Sequence, residues 1–448
     1  MYFFLPSSTQ IKNQAVHKDI LKLSIPNILT NLTVPLLSMV DLHLMGYLNS
    51  ELFMGAVALG GVIFNFVYWG FAFLRMSISG IAAQAYGRKN NHETSMVLFR
   101  GLFIALAGSV LLLVFQSGLE KLSFLLLEGS AEVKALAANY FYVRIWAAPA
   151  AISLMVINGW FLGMQNAYYP MLIAVLINII NIACSFLFVK EFGMEERGVA
   201  LGSVIAQYSG LTLSIILFFK RYQKTLNYFN IKDIAVVKHF KDFLNVSGDI
   251  FIRTWCVIAV FTFFTSQSAG FGDIALAANS ALLQFLFLFS YFLDGFAYAA
   301  EAIIGKYFGA QNKPRLIEAS KKLFYWGTFF GISFTLSYYI WGDQYLRLFT
   351  NKASILEEAS NYLLWLVFIP LVSFASFIWD GIYIGATASK AMRNTMLISS
   401  IVFFFGPYYL FHETIGVHAL WLGMLLFMLS RSVSQTILAR KAVYVKLK

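Results

Sequence analysis

Five acidic side chains fall inside long apolar stretches of the sequence, and these residues are the best placed to do chemistry. An ionised carboxylate is costly inside a membrane, so acids found there usually bind a proton or an ion, or pair with a cation. Their positions indicate that ion or proton binding is coupled to another process. The five are Asp41, Asp249, Asp294, Glu301 and Asp380.

Asp41 has a local sequence suited to such coupling. It lies in the segment PLLSMVDLHLMGYL, and Pro26 and Pro35 precede it in the same apolar stretch. Proline removes a backbone donor and favours a kink, so this helix is expected to bend. A carboxyl group beside a bending helix can couple protonation to a change of shape. The alternative is a structural acid that is satisfied by a hydrogen bond between helices.

Polar residues on later apolar stretches are candidates to surround Asp41. If the first, fourth, fifth and sixth apolar stretches converge, these side chains form one ion-coupling site. They are Asn158, Asn181, Ser185 and Ser203.

The other four acids lie in the second half of the chain. Asp249 and Arg253 are four residues apart, which places them on one helix face and favours an ion pair. Asp294 and Glu301 are two helical turns apart and also share a face. Together with Arg253 and Asp380, they predict a buried charge network, with either a structural or a functional role.

Four aromatic residues and one glutamine form a candidate substrate cavity. An apolar pocket with few polar groups suits lipophilic compounds. Aromatic residues on membrane helices also face lipid or pack in the core, and these alternatives stay open. The candidates are Phe64, Tyr68, Trp69, Trp160 and Gln284.

The composition favours an all-α integral membrane fold. Of 448 residues, 59% are hydrophobic and only 12% are charged, whereas soluble domains carry roughly 25% charged residues. A membrane helix needs about 20 apolar residues, and the apolar runs predict twelve. They lie near 20–46, 52–82, 93–115, 134–162, 167–190, 197–220, 243–266, 274–306, 318–342, 357–388, 392–411 and 416–440.

The net charge of +11 reflects topology rather than nucleic-acid binding. Most Lys and Arg residues fall at the two termini and in alternate loops, and cytoplasmic loops retain positive charge. We therefore expect both termini in the cytoplasm, no nucleic-acid partner, and a bacterial inner membrane as the location.

The chain also repeats itself with an offset of 222 residues, which predicts two lobes of six helices. Because six is even, both lobes enter the membrane in the same sense and are expected to be related by a pseudo-two-fold axis along the membrane normal. The repeated residues are Asn139-Tyr140 and Asn361-Tyr362, Gly159 and Gly381, Gly163 and Gly385, and Gly87 and Gly309. The predicted divisions are a cytoplasmic segment 1–19, an N-lobe 20–220, a cytoplasmic linker 221–242, a C-lobe 243–440 and a cytoplasmic tail 441–448.

Several classes of chemistry find no support in the sequence. It has no GxxxxGK[ST] phosphate loop, no HExxH pair and no Cys/His cluster with metal-ligand spacing. ATP-driven transport, membrane-embedded enzyme activity and a bound cofactor or metal are therefore not expected.

Together, five segments resemble the multidrug and toxic compound extrusion (MATE) transporters, in particular their DinF-like branch. The resemblance covers nearly the whole chain. The segments are PLLSMVDLHLMGYL around Asp41, GAVALGGVIFNFVYWGFAFLRMSISGIAAQAYGR at 55–88, NGWFLGMQNA at 158–167, DGFAYAAEAIIGKYFGA at 294–310 and WDGIYIGATASKAMRN at 379–394.

The resemblance implies twelve helices in two lobes and antiport of lipophilic or cationic compounds against H⁺ or Na⁺. It also implies that Asp41 is the protonation site of the N-lobe. The family pattern places an Asn and, four residues later, an Asp on the fifth helix, whereas this chain has Asn181 and Ser185. The missing second acid leaves Asp41 as the single N-lobe carboxylate within the membrane, which puts a two-acid network in doubt.

The resulting expectation is a monomeric, multi-pass exporter of small lipophilic or cationic compounds, driven by H⁺ or Na⁺ through alternating access. The alternative is a flippase for a lipid-linked saccharide or a peptidoglycan precursor. A flippase favours a strongly cationic cavity, whereas the charges inside the apolar stretches of this chain are mainly acidic.

Overall fold

The structure, a computed structural model, describes residues 16–33, 51–230, 233 and 237–446. These residues are almost entirely helical and contain no strand, so the predicted all-α class is confirmed. Ten of the described helices are long and apolar enough to cross a membrane. Asp41 and Pro35 lie outside the described residues.

The helices are numbered here in chain order. The first half contains α1 (16–33), α2 (Glu51–Gly87), α3 (Asn91–Val114), α4 (Gln116–Leu126), α5 (Ala131–Gly163), α6 (Tyr168–Glu191) and α7 (Glu195–Tyr228). The second half contains α8 (Val237–Gly270), α9 (Asp273–Gly309), α10 (Lys313–Phe349), α11 (Ala353–Gly385), α12 (Ser389–Ile415) and α13 (His418–Tyr444).

From the second to the twelfth, each predicted membrane helix coincides with an observed helix, and the observed helices are generally longer. Of the first predicted helix, 20–46, the structure describes residues 20–33, which are helical. The short helix α4, with 11 residues, was not predicted. It is too short to cross a membrane, which takes about 20 residues. Helix α10 has 37 residues but is not among the ten helices that are apolar enough to cross a membrane. Its central part is rich in Tyr, Trp and Ser, which lowers its mean hydropathy.

The described residues form two units, each with its own hydrophobic core. The N-unit consists of the described residues between 29 and 244, and the C-unit consists of residues 16–28 and 245–446. The start of α1 belongs to the C-unit because Gly295 lets it approach α9 closely. A Cβ atom on Gly295 would lie 2.3 Å from the Ile28 side chain. The predicted N-lobe boundary at residue 20 therefore differs from this grouping, and the other predicted boundaries stay predictions.

The 222-residue repeat recurs in the backbone geometry of both units. A Cβ atom on Gly159 would lie 2.5 Å from the backbone oxygen of Arg75, and one on Gly381 would lie 2.2 Å from that of Ala297. Arg75 and Ala297 are themselves 222 residues apart. Each glycine therefore permits the same close approach of two helices in its own unit.

The turns between helices repeat in the same way. Lys89 and Gln311 both have positive φ, at 55° and 53°. Each is followed by an asparagine, Asn90 or Asn312, whose side chain caps the next helix by accepting from a backbone N–H at 3.0 and 3.1 Å. Equivalent caps set equivalent starting points for α3 and α10.

Candidate functional site

A polar cluster joins three helices inside the N-unit. The Asn181 side-chain amide on α6 donates to Ser203 Oγ on α7 at 2.9 Å. Arg144 on α5 donates to the same Ser203 oxygen at 2.8 Å and also to the Tyr140 hydroxyl. We call Tyr140, Arg144, Asn181 and Ser203 the N-unit polar cluster. Three of the four membrane helices considered for the Asp41 site, namely the fourth, fifth and sixth (α5, α6 and α7), thus meet at this cluster. Their convergence with the Asp41 segment of the first helix lies outside the described residues and stays a prediction.

Arg144 is positioned by a break in its helix. The α-helical part of α5 ends at Arg144, a 3₁₀ turn covers Ile145–Ala147, and Pro149 follows in the first turn of the next helical part. Proline has no backbone N–H, so it is tolerated at the start of a helical segment. The Arg144 guanidinium lies 5.4 Å from the centre of the Phe64 ring, within cation–π range.

Two oxygen atoms next to this cluster have unused hydrogen-bonding capacity. Asn181 Oδ1 and Ser185 Oγ are buried and have no hydrogen-bond partner among the residues that the structure describes. A Cβ atom on Gly202 would lie 2.7 Å from Ser185 Oγ, so the glycine is what allows α7 to pack tightly over this serine. Asn158 Oδ1 on α5 is likewise buried without a partner. These oxygens can accept a hydrogen bond from a protonated group.

Of the predicted helix-bending residues, only Pro26 lies within the described range, in α1. Asp41 and Pro35 were placed by sequence alone, and their roles stay predictions.

The C-unit contains a buried ion cluster centred on Asp380 of α11. The Asp380 carboxylate accepts from Arg253 of α8, from Arg431 Nη2 at 2.7 Å and from the Gln435 side-chain amide at 2.7 Å. The Asp380 and Arg431 side chains are 7% and 3% exposed. We call these four residues the Asp380 cluster. Both carboxylate oxygens are occupied, which is the arrangement of a buried ion pair whose charges compensate one another.

The predicted ion pair between Asp249 and Arg253 was wrong. Asp249 instead accepts from Arg393 at 2.6 Å and from Ser389 Oγ at 2.8 Å, both at the start of α12. Arg253 turns to Asp380, as described above. Spacing along one helix cannot reveal these pairs, because the partner of each side chain lies on another helix.

The remaining predicted members of the network lie on α9. Glu301 is 1% exposed, and Asp294 is close enough to Arg431 for its charge to act on that guanidinium. Asp294 is therefore electrostatically linked to the Asp380 cluster. Whether any of these residues binds an ion stays a prediction.

None of the pockets seen among the described residues is lined by all five predicted cavity residues. Phe64 and Tyr68 pack against each other in the N-unit core, with ring centres 5.6 Å apart. Trp160 is fully buried, and its indole N–H donates to the Thr94 carbonyl at 2.8 Å. The cavity role predicted for Trp160 is thus wrong, because its ring fills the core.

The other two candidates are exposed at different places. Trp69 is 47% exposed on α2, as expected of a ring that faces lipid. Gln284 lines a pocket of about 370 Å³ between α9 and the Phe349–Ile355 region of the C-unit. The predicted substrate cavity is therefore not seen as one site within the parts of the chain that are described.

Sequence reasoning missed four polar side chains that belong to the two clusters or bind Asp249. They lie within or beside apolar stretches and carry a charge or an amide, which is the signal that could have identified them. They are Arg144, Arg393, Arg431 and Gln435.

Comparison with known proteins identifies the family. The MatE family profile matches residues 26–187 and again residues 250–409, more than half of the chain. The chain is 32% identical over 424 residues to DNA damage-inducible protein F of Escherichia coli strain K12, covering 95% of this chain and 92% of that protein. It therefore belongs to the MatE family of membrane transporters and is not an enzyme.

More distant similarities agree with this assignment. Multidrug and toxin extrusion protein 1 of Pongo abelii is 24% identical, covering 91% of this chain and 72% of that protein. A crystal structure of a MATE protein in the bent conformation superimposes with a TM-score of 0.87 at 19% identity, covering 98% of both chains. The superposition on this crystal structure shows that the two proteins share a fold.

Proposed function

We propose that this protein exports small lipophilic or cationic molecules across a bacterial inner membrane by H⁺ antiport with alternating access. The family membership supports export, since one relative is named a multidrug and toxin extrusion protein. The proposal includes a monomer with both termini in the cytoplasm and with no bound cofactor.

The N-unit polar cluster is the observation that carries the proposal. It brings Asn181 and Ser203 together, two of the residues predicted to surround Asp41. The unused Asn181 and Ser185 oxygens are suited to accept a hydrogen bond from the protonated Asp41 carboxyl group. Protonation of Asp41 then favours one access state, and deprotonation favours the other.

Arg144 supports H⁺ rather than Na⁺ as the coupling ion. Its positive charge lies one hydrogen bond from Ser203 and two from Asn181. A fixed cation at this distance opposes the binding of a second free cation. The same charge also lowers the proton affinity of a nearby carboxylate. A proton, however, needs only one carboxylate oxygen, whereas Na⁺ needs several oxygen ligands, and Ser203 Oγ already accepts from Arg144 and Asn181.

The available energy is sufficient for uphill export. One proton moving down a membrane potential supplies about 2.3 kcal/mol per 100 mV. Each unit of pH difference supplies about 1.4 kcal/mol more. One or two protons per cycle therefore support substantial export.

Transport in proteoliposomes tests the proposal. Uptake of a cationic dye is measured under a pH gradient alone and under a sodium gradient alone, for the wild type, for Asp41→Asn and for Asp343→Asn. Asp343 is an exposed acid on α10 that belongs to neither cluster and serves as the matched control. We expect proton-driven uptake by the wild type and by Asp343→Asn, and its loss in Asp41→Asn.

Other outcomes overturn specific parts of the proposal. If Asp41→Asn takes up the dye as fast as the wild type under a pH gradient, Asp41 is not part of the mechanism. If only a sodium gradient drives uptake, the coupling ion is Na⁺ rather than H⁺. Translocation of a lipid-linked saccharide without dye transport favours the flippase alternative.

A further inference from the structure

A groove on the C-unit surface combines an apolar lining with a cationic rim. It has a volume of about 580 Å³ and lies between the first turns of α10, the last turns of α11 and the end of α13. We call it the C-terminal groove. Its lining residues are Ile317, Ser320, Lys321, Phe324, Trp379, Arg440 and Tyr444.

The floor of the C-terminal groove is a set of aromatic rings. Phe324 and Trp379 are in edge contact at 4.8 Å between ring centres, and Tyr444 lies 6.5 Å from Trp379. The Trp379 indole N–H donates to Thr436 Oγ1 at 2.7 Å. This bond fixes the ring and satisfies its only polar group, so the groove receives apolar surface from it.

Two exposed cations stand at the rim. Lys321 and Arg440 come from different helices, and within the described ranges neither forms an ion pair. Basic side chains with long aliphatic stems can lie along apolar surface while holding their charges at its edge. The groove therefore presents positive charge beside a surface suited to hydrocarbon.

The groove lies at the end of the C-unit predicted to face the cytoplasm. A second cleft, of about 880 Å³, adjoins it and shares Ile317 and Lys321. This cleft adds Lys322, Tyr325 and Trp326, and also Glu318, whose charge is paired with Arg315. Aromatic and basic residues together are typical of the boundary between headgroups and acyl chains. The cytoplasmic leaflet carries anionic lipids that attract such residues.

We propose that the C-terminal groove binds an anionic phospholipid of the cytoplasmic leaflet. Lys321 and Arg440 hold the headgroup phosphate, and one acyl chain lies against Phe324 and Trp379. The apolar floor favours a lipid over a soluble phosphate compound, because a soluble ligand gains nothing from burying these rings. This site is separate from the N-unit polar cluster and from the Asp380 cluster, so it does not depend on the proposed antiport mechanism.

The test measures lipid binding to the purified, delipidated full-length protein in detergent. The test variant is Lys321→Gln/Arg440→Gln. The matched control is Lys441→Gln/Lys446→Gln, which removes the same charge from exposed residues near the C-terminus that do not line the groove. Native mass spectrometry counts bound dioleoylphosphatidylglycerol, and thermal unfolding is followed as that lipid is added.

We expect the wild type and the control variant to retain one phosphatidylglycerol and to be stabilised by it. The test variant should bind it roughly tenfold or more weakly, since each basic residue contributes measurably to holding an anionic lipid. Its melting temperature without lipid should match that of the wild type, because both residues are exposed.

Three outcomes overturn the proposal. Equal loss of binding in both double variants means that general surface charge is responsible. Equal stabilisation of the wild type by phosphatidylcholine means that the phosphate-binding cations do not select an anionic headgroup. Equal stabilisation by glycerol 3-phosphate means that the ligand is a soluble anion rather than a lipid.

Discussion

At the scale of single residues, Asp380 is the clearest case of a charge that the fold depends on. Its carboxylate is held by two guanidinium groups and one amide, and the surroundings exclude most water. Removing one partner of a buried ion cluster leaves the others uncompensated, which costs far more than the cluster as a whole contributes.

We expect Asp380→Asn to destabilise the protein by about 3–5 kcal/mol, because it removes the carboxylate that directly contacts both Arg253 and the buried Arg431. Thermal unfolding in detergent measures the loss. Asp249→Asn is the control, since Asp249 and Arg393 are 14% and 25% exposed. That partly hydrated pair should contribute at most about 1 kcal/mol. Equal losses in the two variants would contradict the central role of the Asp380 cluster.

His17 offers a prediction about pH at the start of α1, before the predicted first membrane helix. Trp326 Nε1 donates to His17 Nδ1 at 3.2 Å, which requires a neutral imidazole. Burial, together with the nearby charge of Lys322, lowers the pKa of His17, and Glu318 opposes this only partly. The unfolded chain, with an ordinary pKa of about 6.5, therefore binds a proton more readily than the folded one.

The stability contributed by His17 is thus complete above about pH 6.5 and is lost as the pH falls from there towards the lowered pKa. In His17→Asn, the amide oxygen replaces Nδ1 as acceptor but does not titrate. We expect the melting temperature of this variant to decline less than that of the wild type between about pH 7.5 and pH 5.5. Identical declines would show that His17 does not contribute to the acid sensitivity.

At the scale of the elements, the positions of the membrane helices were predictable, because long apolar runs leave few alternatives. What the runs did not reveal are the irregular parts, such as the 3₁₀ turn at Ile145–Ala147 and the π-helical turn at Ser399–Phe405. These depend on packing between helices rather than on local composition. The same limit applies to side-chain partners. Arg253 was predicted to pair with Asp249, but it pairs with Asp380.

Close helix packing at the repeated glycines gives the next prediction. At Gly159 and Gly381, an added methyl group meets backbone atoms at 2.5 and 2.2 Å, and backbone cannot rotate away. Alanine at either position should therefore destabilise its unit by about 1–3 kcal/mol through overpacking. Thermal unfolding of the single variants measures this.

Gly248→Ala is the matched control, because a methyl group there meets no atom of the described residues within 4 Å. It lies inside α8, where alanine is favoured over glycine by about 1 kcal/mol. We expect it to leave the protein as stable as the wild type or slightly more stable. A loss equal to that in the other two variants would mean that helical glycines matter here for a reason other than close packing.

At the scale of the whole molecule, duplication has preserved packing but not chemistry. The repeated glycines, turns and caps occupy equivalent places in both units, whereas the charged residues of the Asp380 cluster do not recur. The N-unit instead has the Arg144-centred cluster. The backbone repeat was predictable, because identical residues recur at one spacing. The difference in chemistry between the two units becomes visible only from the side-chain contacts in the structure. In the second half, Asp249, Arg253 and Asp380 correspond to Asn27, Asn31 and Asn158.

The orientation in the membrane follows from the distribution of basic residues and gives a test of the whole topology. Cys184 and Cys256 are free, so both are first replaced by serine. Four variants then each carry one new cysteine at an exposed position. Two of these positions, Arg88 and Ala310, directly follow equivalent helices of the repeat. The other two, Glu128 and Asn351, lie in loops predicted to be on the opposite side of the membrane.

A membrane-impermeant maleimide added to intact cells should label the cysteines at positions 128 and 351, because the loops with few basic residues face outwards. Those at positions 88 and 310 should react only after the cells are opened. Equal labelling within each pair is required, since an even number of predicted membrane helices separates its two members. The reversed pattern would invert the orientation, and different labelling of 88 and 310 would contradict the even number of crossings between them.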